Sequence, residues 1–594
     1  MRSSIDMAIC CSQAPLLNPE PVQLRITRLL TSCRLLPPPT LWPNLSVAME
    51  EGYGLQERRQ SKNVTHVEVL QVNSNSHLPL DVASMDLVKR RLKQRHIQMI
   101  AIAGTLGTGL FLGTGGAIHT AGPLGALIAF ALVGSVAYSS LCSLGEMTSL
   151  APISGSFPHF ASRWVDPALG FAVGWNYFLT NAFYVPVEIS GAQILISMWD
   201  SHHAAVYTVV ICIVICATNV FGVIYFGETE FAFSILKLIM IIGLIIVGLV
   251  IDLGGAPNHQ RLGFQYWSNP GVFAGPPDLE PRYPALNNFL GILSVITQAA
   301  FAYQGMEIVA VAASETQNPR RNIAKAIRRV FYRILIFYIL GVFIAGLIVP
   351  SNNPQLLEGT GIFAKSPFVI AMQISGIRVL PTVVNAGFIT SAFSAGNSFL
   401  FCSSRILYGL ALRKQAPRFL TICTRKGVPI VAVLCSSVFA FLSLMSISSG
   451  AETVFNWFQH LSVMGGFFGW LSINLTYIFF YRGLQYQGIE RQKLHYYNPL
   501  QPWLSIWGMV WCILFILING FTVFWHFEAS DFLTSYINIP LFFGLFLFWK
   551  VTRGTVVWKT DEMDFITGIP SCEETERPEI PPKGFWQHVA AVLF

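Results

Sequence analysis

Four ionisable side chains stand in or beside otherwise apolar stretches of this sequence: Glu146 in SLGEMTSL, Glu188 in FYVPVEISGAQ, Lys237 in EFAFSILKL and Glu307 in AYQGMEIVAV. In lipid such groups are costly and mark a site by default, and a carboxyl or ammonium taken out of water can trade a proton near neutral pH. Proton transfer is therefore one chemistry this chain could perform. The second is written in glycine. Residues 97–118, IQMIAIAGTLGTGLFLGTGGAI, carry Gly104, Gly107, Gly109, Gly113, Gly115 and Gly116 in a stretch long enough to cross a bilayer. Each glycine costs about 1 kcal/mol against alanine inside a helix, and non-helical backbone at membrane depth persists only where it is buried in protein or lines a polar cavity. A helix broken there offers free N–H groups that bind a carboxylate and free C=O groups that bind an ammonium. Close helix packing through Gly109-x-x-x-Gly113 is the structural alternative. Gly305 and Glu307 repeat the interruption in NFLGILSVITQAAFAYQGMEIVAVAASE. Paired glycine-interrupted segments point to an inverted repeat with a solute site at the midplane.

The elements that must position these groups are membrane spans. Hydrophobic residues make up 53% of the 594, charged residues 12%, and the mean hydropathy is +0.53, which excludes a soluble enzyme. Windows of about 20 apolar residues recur near 97–117, 123–147, 168–198, 205–226, 231–251, 288–313, 327–350, 380–411, 428–447, 453–481, 501–526 and 533–552, twelve in all. Positive flanks stay in the cytoplasm. Lys89, Arg90, Arg91, Lys93 and Arg95, then Arg320, Arg321, Lys325, Arg328 and Arg329, then Arg413, Lys414, Arg418, Arg425 and Lys426, then Arg482, Arg491 and Lys493 fall on one set of connections. The other set keeps Arg261, Arg282, Lys365 and Arg378. Both termini are thus expected inside. The net charge of +7 reads as topology, with no nucleic acid as partner.

Residues 1–88 lack the apolar periodicity of a domain and are expected to be a disordered cytoplasmic tail. Arg2, Arg25, Arg28 and Arg34 raise a mitochondrial targeting reading; a start at Met49 would instead leave 1–48 outside the native protein. The membrane-spanning body is then 89–553, and 554–594 a polar cytoplasmic tail. Cys142, Cys212, Cys216, Cys402, Cys435 and Cys512 lie in or beside spans without a C-x-x-C, so they are packing residues. No His/Cys cluster suggests a metal. GTLGTG lacks the Lys-Ser/Thr of a phosphate loop, and no constellation of catalytic residues or cofactor is implied.

From residue 89 to about 500 the sequence resembles the fungal amino-acid permeases of the amino acid–polyamine–organocation superfamily. The stretches that carry this are RRLKQRHIQMIAIAGTLGTGLFLGTG, SLGEMTSLAPISGSFPHFASRWVDPALGFAVGWNYF, FGETEFAFSILKL, AAFAYQGMEIVAVAASETQNPRRNIAKAIRRV and SAFSAGNSFLFCSSRILYGLALRKQAPRF. The pattern is most like the dicarboxylic branch. The resemblance implies an all-α membrane protein of twelve helices, ten in a five-plus-five inverted repeat with helices one and six discontinuous and two more at the C-terminus. It implies proton-driven, alternating-access uptake of amino acids at the plasma membrane, with trafficking or ubiquitination machinery as partners at the tails. An acidic preference follows from the branch; a general or neutral permease and a transporter-like sensor stay open.

Carried over by motif, Thr105, Gly107, Thr108 and Gly109 would receive the substrate carboxylate, and Phe301, Ala302 and Tyr303, beside Gly305, would flank its ammonium. Ser394 and Asn397, with Asn176, Tyr177 and Ser462, would face the pocket. Glu188, Lys237 and Glu307 would couple protons, Lys237 standing where sodium-coupled relatives hold a cation. Glu146 has a structural contact at the inner face as its plainer reading, and Arg405 lies too near that face to meet substrate.

Overall fold

The computed structural model describes residues 88–576, less 201, 277–282, 357–365 and 526, together with residue 584. The tail at 1–87 and the possible start at Met49 lie outside them. Among the described residues every extended element is helical, and the only bridge of strand type joins Leu92 to Thr316. In chain order, leaving out the 3₁₀ turns and the four-residue helices Gln265–Ser268, Ser446–Ser449 and Cys572–Thr575, the helices are α1 (Gln94–Thr105), α2 (Thr108–Phe111), α3 (Gly113–Leu150), α4 (Ser156–Trp164), α5 (Pro167–Ile196), α6 (Ala204–Val220) and α7 (Val223–Asp252). Then come α8 (Pro284–Tyr303), α9 (Ile308–Val311), α10 (Pro319–Ile348), α11 (Pro367–Ile374), α12 (Leu380–Leu412) and α13 (Ile430–Ser437). The last are α14 (Ala451–Gln487), α15 (Trp503–Ile518), α16 (Ala529–Tyr536) and α17 (Asn538–Arg553).

Local chemistry sets these ends. Asp166 caps α5, its carboxylate accepting from the Ala168 N–H at 2.8 Å, with Pro167 in the first turn, where the missing N–H is no loss. Gly488, at φ 69, closes α14 with the Ile489 N–H returned to the Leu484 carbonyl at 2.9 Å, a left-handed stop suited to glycine. The first two spans run together in α3, and the boundary between them is Gly122 (φ 75, ψ 170), followed by Pro123. Backbone groups freed at that corner are taken up by the loop: Leu124 N–H donates to Val272 O and Ala274 N–H to Ala121 O, both at 3.0 Å.

Six helices among the described residues are long and apolar enough to cross a membrane, seven if the α16–α17 pair, bent by 42°, is one span. The expected twelve windows are all helical or partly so. Several fall short by apolarity because their polar residues turn inward: α5 buries Asn176, Thr180, Asn181, Glu188 and Gln193, and α12 buries Asn385, Ser391, Ser394, Asn397 and Arg405. These two helices pack along one another at the centre, α14 covers α5, and α8 and α10 lie against α3.

One end of the bundle gathers the basic segments. Lys89 donates to Arg425 O (3.1 Å), Arg320 to Leu150 O (3.2 Å) and Arg491 to Glu146 (3.1 Å). Glu146, wholly buried, also accepts from Tyr477 and from the Asn498 N–H, the structural contact that was its plainer reading. At this end Arg91 and Leu92 N–H groups donate to Glu315 O at 2.8 and 2.9 Å, and Gln317 N–H to Leu92 O at 2.8 Å. Arg405 forms a buried ion pair with Glu315 at 2.8 Å and stacks over Phe401.

The segment read only as a polar tail folds back over this end. Arg163 of α4 pairs with Asp564 (2.9 Å) and donates to the Asp564 and Thr567 carbonyls. Trp164 also donates to Asp564 O, and Arg320 to Pro570 O at 2.7 Å. Glu576 receives the Arg320 backbone N–H at 2.9 Å, at the start of α10. Met563 and Phe565 are buried against Gly483 of α14. Residues 555–576 thus form a strap across α4, α14 and the start of α10.

Candidate functional site: two broken helices

The run expected to break does so at Leu106 (φ −79, ψ 76) and Gly107 (φ −108, ψ −153), between α1 and α2. The second break follows Tyr303, with Gln304 extended and Gly305 at φ +97, a region glycine occupies without strain. The two breaks meet backbone to backbone. A Cβ on Gly305 would lie 2.7 Å from the Gly104 carbonyl oxygen, and one on Gly109 2.9 Å from the Ala302 Cα. Of the Gly109-x-x-x-Gly113 pair, Gly109 is closely packed and Gly113 is not, lying 4.0 Å from Gln298 Cβ; Gly104, outside that pair, packs on the second break.

Backbone groups released by the first break find side chains from three other helices, as buried carbonyls must. Lys237 of α7 donates to Ala103 O at 2.7 Å, and Ser391 of α12 to Leu106 O at 2.7 Å. The Tyr338 hydroxyl of α10 lies 2.7 Å from both Thr105 O and Ala302 O. The one hydroxyl thus bridges carbonyls in the last turns of both half-helices. The free N–H side is also engaged: Thr108 N–H donates to Glu188 Oε2 at 3.2 Å, and a Cβ on Gly107 would sit 2.4 Å from Glu188 Oε1. A carboxylate of the chain itself occupies a donor expected to serve a substrate carboxylate.

Ser394 and Asn397, named from sequence as pocket residues, both hold Glu230: Ser394 Oγ donates to Oε2 at 2.6 Å and Asn397 Nδ2 to Oε1 at 2.5 Å. Asn397 Oδ1 in turn accepts from Thr218 and Asn219 of α6. Glu188, Glu230 and Lys237 are all at least 98% buried, and both carboxyl groups lie within electrostatic reach of the one ammonium. Glu307 stands apart from that triad. Its Oε1 accepts from Tyr177 at 3.1 Å, while Oε2 has no hydrogen-bond partner.

Phe301 and Tyr303 also part company. Phe301 joins a stack with Tyr184 and Phe399, centroids 5.4 and 4.3 Å from the Tyr184 ring, and Tyr184 donates to Gln304 beside the second break. Tyr303 turns toward α3, packing on Gly134, Phe130 and Tyr338 with its hydroxyl unpartnered. Asn176 donates to Gly465 O of α14 at 2.9 Å, and the buried Ser462 hydroxyl has no partner. Sequence reasoning missed Glu230, Tyr338, Tyr184 and Ser391. Glu230 was within reach, an acid two helical turns before Lys237, but the fifth span was begun at 231 whereas α7 starts at Val223. Among the described residues no group of histidines, cysteines and carboxylates could hold a metal.

A helical membrane bundle in which two interrupted helices present backbone groups at a shared, ion-lined centre has the build of a carrier. The chain belongs to the amino acid permease family, whose model matches residues 96–559. It is 40% identical to the basic amino-acid permease of Saccharomyces cerevisiae over 510 residues, covering 85% of this chain and 88% of that one. The dicarboxylic amino acid permease of the same yeast is also 40% identical over 493 residues, 81% of this chain and 80% of the relative. The proline-specific permease of Emericella nidulans gives 40% over 490 residues, 81% and 88%. The dicarboxylic branch is thus one of several at equal identity. The relatives are permeases, and the chain is a multi-pass membrane protein of an amino-acid transport family.

Proposed function

We propose that this protein imports amino acids across the plasma membrane in symport with protons, cycling between outward- and inward-open forms. Twelve spans, the first ten an inverted repeat, and both termini in the cytoplasm complete the reading, with the tails open to trafficking and ubiquitination machinery. The observation that carries it is the meeting of two broken helices beside a buried Glu188–Lys237–Glu230 triad. Three ionisable groups with an excess carboxylate in a membrane interior are a natural seat for a transported proton, since an unpaired buried charge is strongly disfavoured. In this reading Thr105, Gly107, Thr108 and Gly109 bind the α-carboxylate. The ammonium lies against the carbonyls near Ala302 and Gly305 under Phe301, and Glu188, Lys237 and Glu307 carry the coupling. Gathering of the basic connections at one end supports the cytoplasmic placement of that end.

Relatives named for basic, dicarboxylic and proline substrates are equally identical to this chain. Recognition of the α-amino acid head is then the shared function, with side-chain choice made by residues such as Ser462, Asn176 and Gln304. The experiment is uptake of labelled glutamate, alanine, arginine and proline in a permease-deficient yeast strain, the glutamate uptake competed by unlabelled aspartate, glutamate, glutamine, alanine and arginine. Accumulation above the external concentration, abolished by a protonophore, supports proton-driven import; no accumulation of any labelled amino acid defeats it. Competition by aspartate and glutamate alone gives an acidic preference, and equal competition gives a broad carrier.

A further inference from the structure

Glu188 holds the N–H of Thr108 in the way a substrate carboxylate would. A substrate carboxylate arriving at the start of α2 must therefore take the place of one already there. The charged and titratable groups facing Glu188 are Lys237 from α7, Tyr338 from α10 and Tyr184 on its own helix, with Glu230 reaching the same lysine. From α12 the neighbour is the uncharged Gly396. Released as an anion, Glu188 would lose its N–H donor and leave three carboxylates, with those of Glu230 and the substrate, against two ammonium groups, those of Lys237 and the substrate, whereas as the neutral acid it leaves two against two. Released as the neutral acid, it leaves the negative charge opposite Lys237 unchanged, because the substrate's carboxylate replaces its own.

We infer that Glu188 and the substrate α-carboxylate compete for the Thr108 N–H, and that displaced Glu188 takes a proton from external water, so that exchange of one carboxylate for another is the coupling step. The balance is simple: the N–H···O bond to Glu188 breaks, one to the substrate forms, and –COO⁻ plus H⁺ becomes –COOH. This rests on the amino-acid reading of the site given above. It adds that substrate binding and proton uptake are the same event and not two independent ones.

The test uses the purified full-length protein in lipid nanodiscs, with equilibrium binding of L-glutamate and L-alanine and of their α-carboxamides between pH 5.5 and 7.5. The carboxamides keep side chain and ammonium but cannot replace Glu188 as a carboxylate. The amino acids should bind about tenfold more tightly for each unit of acidification over the range where free Glu188 is ionised, the slope for one proton bound with the ligand. The carboxamides should show no such slope, and in Glu188→Gln the slope for the amino acids should vanish. A slope retained in the Gln variant, a slope shared by the carboxamides, or pH-independent binding to the parent each overturns the exchange. Should the variant fail to fold, the comparison of acid with carboxamide on the parent decides alone. If neither amino acid binds at any pH, it is the amino-acid reading that falls.

Discussion

Lys237 shows how a buried cation is accommodated in an apolar bundle. Its ammonium reaches the Ala103 carbonyl in the last turn of α1, where the partial negative end of a helix favours positive charge, and two carboxylates stand within electrostatic reach. Lys237→Ala removes the cation and leaves both acids, so accumulation against a gradient should be lost more completely than binding. An accumulation ratio equal to the parent's would remove the lysine from coupling. Tyr338→Phe deprives Thr105 and Ala302 carbonyls of their shared donor, and should lower stability by about 1–3 kcal/mol, the usual penalty for unsatisfied buried polar groups, readable in a thermal melt of the detergent-purified protein. Thr108→Val should raise the Michaelis constant for all α-amino acids alike, as uptake kinetics across side-chain classes would report. At this scale the sequence was a partial guide. Intramembrane charge picked out Glu188 and Lys237, which do come together. Ser394 and Asn397 stand out by family pattern and as polar residues in an apolar helix, but which partner such side chains take depends on the neighbouring helix, and here it is Glu230.

For the elements, the glycine runs announced both breaks because only a functional demand keeps so weak a helix in lipid, and the close approaches explain which glycines matter. Gly305→Ala places a side chain at φ +97 and 2.7 Å from a backbone oxygen. It should abolish folded protein at the membrane, while Gly116→Ala, which meets nothing within 4 Å, should be neutral in yield on a size-exclusion profile. The apolar windows fall on helices, six or seven of which are long and apolar enough to cross a membrane among the described residues, but their ends depend on caps and corners. Spans four and five were divided near 226, whereas the chain turns at Phe221 and Gly222, the latter at φ 124. The strap has no signal in sequence, since its hold is made of loop carbonyls, the buried Met563, Phe565 and Cys572 side chains and two ion pairs, Arg163–Asp564 and Arg321–Glu576, none of which has a period.

For the molecule as a whole, the strap joins segments far apart in the chain. Burial alone would raise the Asp564 carboxyl, but Arg163 and the N–H groups of Thr567 and Ile566 outweigh it and hold it below the usual carboxylate range. A depressed carboxyl stabilises the packed form above its unfolded value of about 3.9, and the contribution is lost as pH falls through the lower, folded value. The share of protease protection of residues 555–576 that Asp564 supplies, read as the parent against Asp564→Asn, should therefore be flat from neutrality to about pH 5 and fail only in stronger acid, whereas Glu576, its carboxyl pushed up by burial, favours the packed strap more as pH falls. Arg163→Ala should expose the strap already at neutral pH, which limited proteolysis of open membrane fragments would detect.

The ladder at Leu92 and Thr316 ties the start of α1 to the far side of the second break, as Gly104 against Gly305 and the Tyr338 hydroxyl tie them further in. Sutured at three depths, the two interrupted rods would travel as a single lever, and whatever swings must swing against α5 and α12. Cysteines bridging 92 to 316 should then leave turnover intact, whereas a staple from Gly107 to Ala395, whose methyl lies 3.1 Å from a Cβ built on that glycine, should freeze the stroke.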